Sequence, residues 1–312
     1  MLAGAILHIL TTMISPNNAK GKPAMAYRKI LSVLTGADSD AAALATAFSL
    51  VATTKGNVSA LFLRHDPRDA MPMIGEGMTG SMIQDVMKSL EEENSVRGNL
   101  AYQHFKATCA AAGASECARA PGLDTVSACW QEVDGVTEDV LTAATRVSDA
   151  AVFPPLSKEL RTAVLAGMEA VLLEGGRPVI VSAANPPARL GRKVAIAWNG
   201  RVQASRAVAL ALPVLQTADE VHILTAGTAK TDVEGGKALQ EYLAWHGIPA
   251  AHHRLNAKGM TVAACIQAQC REVGADLLVM GGYGHSRLRE LILGGVTKDM
   301  LDQSELTLLM AH

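Results

Sequence analysis

The chain carries one pattern twice, and that repeat limits what it can fold into. Lys29 opens the run KILSVLTG, and Lys193 opens KVAIAWNG. Each passes from a basic residue through a short apolar, β-prone stretch to a glycine. Residues 30–34 and 194–198 are too short for buried helices and suit interior parallel strands. Alanine-rich segments with an apolar face follow at 39–54 and 203–215 and predict helices. Second strands are expected at 58–63 and 221–225. Near the end of each half, Asp149-Ala-Ala-Val-Phe153 matches Asp276-Leu-Leu-Val-Met280, and residues 178–181 match 307–310. Strand, helix, strand, repeated, predicts crossover connections and a parallel sheet. The expected fold is therefore α/β: two tandem Rossmann-like domains, mainly parallel, with flanking helices. Residues 1–24 form an N-terminal extension, 25–183 the first domain and 192–312 the second. The turn-rich run AANPPARLGR at 183–192 divides them.

Composition fits that plan. A length of 312 residues gives a soft prior of about two domains. Hydrophobic residues at 49% and charged residues at 19% allow a real core in each and exclude wholesale disorder. With 28 basic and 30 acidic side chains the formal charge is −2. That balance gives no electrostatic reason to expect nucleic acid, and 4% aromatics weaken a base-stacking role. The five cysteines form no C-x-x-C pair, which argues against a zinc ribbon or a disulfide framework and for reduced cytoplasmic thiols. His252-His253 has no matching ligand spacing, so no metal site is expected. The apolar run at 2–14 is too short to span a bilayer and lacks a basic flank. It reads as a docked helix or a tail, and neither a membrane span nor a signal peptide is expected.

The first half is longer in its middle. Residues 80–113 read as a helix, with Glu91-Glu92-Glu93 on a solvated face. Met71, Met73, Met78, Met82 and Met87 read as core filler, with an adaptable hydrophobic surface for a ligand or lid as the alternative.

The segment that carries chemistry runs from Met280 to Leu301, M-GGYGHSRLRELILGGVTKDML. A strand ending at Met280 is followed by Gly281, Gly282 and Gly284, then by Gly294-Gly295-Val296-Thr297 and a helix. Ligands in open parallel sheets sit beyond the carboxyl ends of the strands. Glycines there allow close backbone approach and positive φ. A glycine pair opening a helix aims unpaired N–H groups outward, which favours an anion such as phosphate. Dipole terms contribute only about 0.3–1 kcal/mol each, and micromolar affinity needs roughly 8 kcal/mol. An adenine or similar ring must supply much of the rest.

The spacing Gly281-x2-Gly284-x9-Gly294 resembles that of the universal stress protein (UspA-like) family. The resemblance spans the tandem repeat from about residue 28 onward, and is strong over the second half and weak through residues 64–147. It implies that Gly281 and Gly284 line the ribose and phosphate side of an ATP or other adenine-nucleotide site. Gly294, Gly295, Val296 and Thr297 would then offer N–H groups, and a hydroxyl, to the phosphates. Asn199 stands where the family's binders often have Asp, so it would meet a ribose hydroxyl without charge. Gly295 stands where they have Ser or Thr.

The first half lacks this apparatus. Aligned on Asp149 and Asp276, Pro154 and Pro155 fall opposite Gly281 and Gly282. Gly167, Met168 and Glu169 fall opposite Gly294, Gly295 and Val296. Proline has no N–H, and Glu169 would repel phosphate. The first domain is thus expected to complete an intramolecular pseudo-dimer, with a homodimer as a further option. Family members pair through the last strand, which nominates 178–181 and 307–310. The Thr35-Gly36-Ala37-Asp38-Ser39 run only faintly resembles the loop of ATP pyrophosphatases, lacking its leading Ser and one Gly. His285 beside Ser286 lacks an orienting third residue for a dyad. The expected function is that of a cytoplasmic stress-response protein without a dedicated catalyst and with at most slow ATP hydrolysis. A nucleotide-free docking module on the same fold is the alternative.

Overall fold

The structure, a computed structural model, describes residues 26–64, 80–117, 125–156, 161–226, 230–256, 259–283, 295–303 and 305–312. The N-terminal extension, Met71, Met73, Met78, Gly284, His285, Ser286 and Gly294 lie outside them. Among the described residues eleven strands form one sheet, in the order β3-β4-β2-β1-β5-β6-β11-β10-β7-β8-β9.

The first half runs β1 (Lys29–Leu34), α1 (Asp40–Ala52), β2 (Asn57–Arg64), α2 (Gly80–Ala112), β3 (Ser115–Glu116), β4 (Ser127–Asp134), α3 (Thr137–Arg146), β5 (Ala150–Phe153), α4 (Arg161–Glu174) and β6 (Val179–Val181). The second runs β7 (Lys193–Ala197), α5 (Val202–Leu215), β8 (Glu220–Ala226), α6 (Lys230–Trp245), β9 (Ala251–Leu255), α7 (Val262–Val273), β10 (Leu277–Gly281), α8 (Gly295–Gln303) and β11 (Thr307–Ala311). Apart from the short edge strand β3, both halves follow one strand order, read outward from the shared junction.

Alternation along the strands feeds two cores, one on each side of the sheet. Ile30 and Leu34 join one apolar cluster and Leu31 and Val33 the other; Leu277 and Val279 alternate with Leu278 and Met280 in the same way. Helices α1, α2, α5 and α6 cover the first face. Helices α3, α4, α7 and α8 cover the second. Each cluster draws on both halves.

Equivalent carboxylates pin the first strand of each half. Asp149 Oδ2 accepts from the N–H groups of Arg28 at 2.6 Å and Lys29 at 2.9 Å. Asp276 accepts from Gly191 at 2.8 Å and Arg192 at 3.0 Å. Burial pushes the Asp276 carboxyl up, and the amide donors partly offset that.

The halves meet at the strands that the family resemblance nominated. β6 and β11 pair antiparallel, with Val181 opposite Leu308, Ile180 opposite Leu309 and Val179 opposite Met310. Every other ladder is parallel. Side bonds reinforce the junction: the Ala183 N–H donates to Thr307 Oγ1 at 3.2 Å, and Tyr27 Oη donates to the Leu210 carbonyl at 2.6 Å.

Helix α2 matches the expected helix at 80–113, and Glu91, Glu92 and Glu93 are exposed on it. Met82 is not core filler: it is half exposed, on the solvated turns where α2 has left the sheet. Leu309 is fully buried in the middle of the junction. Leu309→Ala is expected to cost about 2–5 kcal/mol, read by urea unfolding. A loss below about 0.5 kcal/mol, the range of an ordinary surface change, would mean the junction is not a packed core.

Candidate functional site

Strand order and helix placement create a crevice in each half. In the second, β7 and β10 are neighbours, with Met280 paired to Ala197. The helix after β7, α5, lies on one face, and the helix after β10, α8, lies on the other. Chain leaving two adjacent strands toward opposite faces opens a gap beyond their carboxyl ends. Gly281 and Asn199 flank that gap.

Gly281 is there for space. A Cβ on it would lie 2.6 Å from the Ala204 nitrogen and 2.8 Å from the Gln203 carbonyl carbon, in the first turn of α5. Asn199 is exposed, and its Oδ1 accepts from the Arg201 N–H at 3.1 Å, closing an Asx turn. Gly200 within that turn has φ +69. The preceding Trp198 holds a buried indole N–H with no hydrogen-bond partner among the described residues.

Helix α8 is described from Gly295. That residue is exposed, and among the described residues nothing lies within 4 Å of where its Cβ would stand. Val296 is half-buried and Thr297 is 5% exposed. The structure thus brings Gly281 and Asn199 to one crevice. Gly284 and Gly294 fall outside the described residues, so the whole glycine loop is not on view.

Sequence reasoning missed the residue that anchors the start of this loop. Tyr283 has φ +55, in the left-handed region where a bulky side chain is strained. Its hydroxyl donates to Glu169 Oε1 of α4 at 2.7 Å, across the two halves. Burial, then the Glu169 carboxylate, drives the phenol pKa up. Beside it, the Gly282 N–H donates to the Ala311 carbonyl at 2.9 Å, and a Cβ on Gly282 would lie 2.8 Å from Leu172 Cδ2. The available signal was Tyr283 itself, one aromatic in a glycine run.

The first half's crevice is filled. Asp40, buried at the start of α1, accepts from Thr35 N and Thr35 Oγ1, each at 2.9 Å, and from Gly36 N at 2.8 Å. Burial raises its carboxyl pKa against those donors. Arg97 of α2 lies across the same loop, its Nε donating to the Thr35 carbonyl at 2.9 Å. Gly36 has φ +75, and a Cβ there would sit 2.5 Å from Arg97 Cβ. Gly167 does not mirror Gly294 in role. It lies inside α4, where a Cβ would stand 2.7 Å from Leu141 Cδ1 of α3. The helix runs through the place where a phosphate loop would need free amides.

The overall likeness is to known structures. A universal stress protein from Archaeoglobus fulgidus superposes with a TM-score of 0.64 at 14% identity, over 91% of this chain and 97% of that one. The chain has the universal stress protein fold. A functionally unknown protein from Pseudomonas aeruginosa superposes with a TM-score of 0.51 at 15% identity, over 91% of this chain and 92% of the other. A candidate universal stress protein from the same species gives 0.50 at 16% identity over the same shares. No protein-family model matches the sequence, and comparison with curated proteins finds no match. No described helix is long and apolar enough to cross a membrane. Among the described residues no group of three or more His, Cys, Asp or Glu could hold a metal ion.

Tyr283→Phe removes the only hydrogen donor that the ring offers Glu169. It is expected to cost about 1–3 kcal/mol, read by urea unfolding. The same substitution in a Glu169→Ala background should cost much less. Equal losses in both backgrounds would separate Tyr283 from Glu169.

Proposed function

We propose that the second half of this chain binds ATP or another adenine nucleotide in the crevice between β7 and β10, as part of a cytoplasmic stress response. The observation that carries the reading is Gly295, the first described residue of α8. It is exposed, and no described residue comes within 4 Å of where its Cβ would stand. Helix α8 follows β10 on the carboxyl side of the strands, where α/β folds take ligands. The Gly281-x2-Gly284-x9-Gly294 spacing supports it.

In this reading the N–H groups of Gly294, Gly295, Val296 and Thr297 take the phosphates. Gly281 keeps the crevice floor free of side chain. The Asn199 oxygen already serves its own turn, so a ribose hydroxyl would accept from the amide nitrogen. No charge is available there, and affinity rests on phosphate and ring. Thr297 is buried, which makes its N–H a better phosphate donor than its hydroxyl. The first half contributes no nucleotide, because Arg97 and α4 occupy the equivalent space. No step of catalysis is assigned; slow hydrolysis would come from water beside the phosphates.

One observation favours the alternative docking module. Trp245, at the end of α6, is 84% exposed, and Tyr242 lies tilted against His246 beside it with ring centroids 4.7 Å apart. Exposed aromatics of this kind are enriched at protein contacts.

Calorimetric titration of ligand-stripped protein with ATP separates the two. Saturable heat that disappears in Gly294→Val, with melting temperature preserved, is the expected result. Absence of heat in the unmodified chain, with no nucleotide in its denatured extract, would leave the docking reading.

A further inference from the structure

We propose that Cys117 and Cys129 are a reversible oxidation site, a dithiol that closes to an intramolecular disulfide when the chain meets a hydroperoxide. The sequence hides the pair, because twelve residues separate them and no C-x-x-C motif marks them. The sheet brings them together. β3 and β4 run parallel, with Ser115 opposite Ser127 and Glu116 opposite Ala128. The Cys117 N–H continues the ladder, donating to the Ala128 carbonyl at 2.9 Å. Cys117 therefore stands beside Cys129, and their sulfurs lie 3.6 Å apart.

That geometry is close to a disulfide. Neighbouring strands are about 4.8 Å apart, within the roughly 4.4–6.8 Å Cα separation that a disulfide spans. Closing the sulfurs to about 2.0 Å needs side-chain rotation and little backbone movement. β3 is an edge strand, which can adjust.

The surroundings make the pair selective. Cys117 and Cys129 are half-buried, whereas Cys109, Cys265 and Cys270 are buried. Burial pushes the Cys109 thiol up to about 11 and the Cys270 thiol up to about 12, which suppresses their thiolates. Burial also raises the Cys129 thiol, but Asn57 works against it. The Asn57 Nδ2 lies 3.5 Å from the Cys129 sulfur, 3.9 Å from that of Cys117 and 3.1 Å from Ser127 Oγ. The Cys129 thiol stays raised overall, with the Cys117 sulfur adding to burial, and the Asn57 amide offsets part of that rise.

The chemistry balances with hydrogen peroxide as oxidant. One thiolate attacks a peroxide oxygen; an S–O bond forms, the O–O bond breaks, and hydroxide leaves to be protonated as water. The second thiolate attacks the sulfenic sulfur; the S–S bond forms and the S–O bond breaks, releasing a second water. Two thiols and one peroxide give one disulfide and two waters. Small-molecule thiols reverse it by exchange.

The test uses the full chain, reduced and then treated with hydrogen peroxide, with thiols counted in denaturant. Unmodified protein is expected to fall from five thiols to three as a monomer, and to return to five after dithiothreitol. Cys109→Ser, which shares a tryptic peptide with Cys117, should still lose two. Cys117→Ser and Cys129→Ser should form no intramolecular disulfide, while keeping the melting temperature of the reduced protein. Retention of all five thiols, a disulfide between chains, or a two-thiol loss that survives Cys117→Ser would each overturn the assignment.

Discussion

Three residues of antiparallel ladder, Val179 to Val181 against Leu308 to Met310, decide the shape of everything else. Both strands are apolar and buried. Either half alone would present such a strand as a bare edge, with unpaired backbone groups and exposed Val, Ile and Leu. Joining them removes both edges and lets each apolar cluster run through the whole molecule. The sheet's remaining ends are its outer strands, the two-residue β3 and the largely polar β9. The molecule therefore places its apolar strands inward and its polar ones at the rim.

Once the halves are fixed in this way, identical topology has different consequences on the two sides. Asp149 and Asp276 do the same work at the same place, holding the backbone that enters the first strand. The loops that leave those strands diverge. In the second half Asn199 folds back on its own turn, accepting from the Arg201 N–H. In the first, Asp40 ties down Thr35 and Gly36, and Arg97 seals the loop from above. Burial lowers the pKa of the Arg97 guanidinium, and Glu93 and Asp40 oppose that shift. Its place is held by a helix of 33 residues, about twice the 16 of α6, its counterpart. The longer insertion in the first half thus supplies the arginine that holds the loop after β1.

Much of this was legible in the residues. Short, nearly continuous apolar runs marked the interior strands, because burial on both faces leaves that local signature in Ile30 to Leu34 and Val194 to Trp198. The junction followed from the family resemblance, which implies pairing through the last strand of each half. Contacts between distant segments were not legible. Arg97 reaches Thr35 across 62 residues and Tyr283 reaches Glu169 across 114, and no periodicity encodes either. Glu169 read locally is a charge hostile to phosphate; in the fold it is the acceptor for a phenol from the other half. Gly167 in the sequence aligns with Gly294; in the fold it is the flat spot where α4 packs on Leu141 of α3.

That last pair of residues links the two halves' fates. Holding a non-glycine residue in the left-handed region costs about 1–2 kcal/mol, and Tyr283 is held there at φ +55. A hydrogen bond to a charged group contributes about 1.5–3 kcal/mol, enough to offset that strain. Glu169 is in position to supply it because α4 continues through the site where a phosphate loop would break the helix. The change that closes the first crevice is therefore the same change that supports the backbone leading into the second. The first half thus holds Tyr283, the last described residue before its neighbour's glycine loop. Restoring a loop there would remove the buttress.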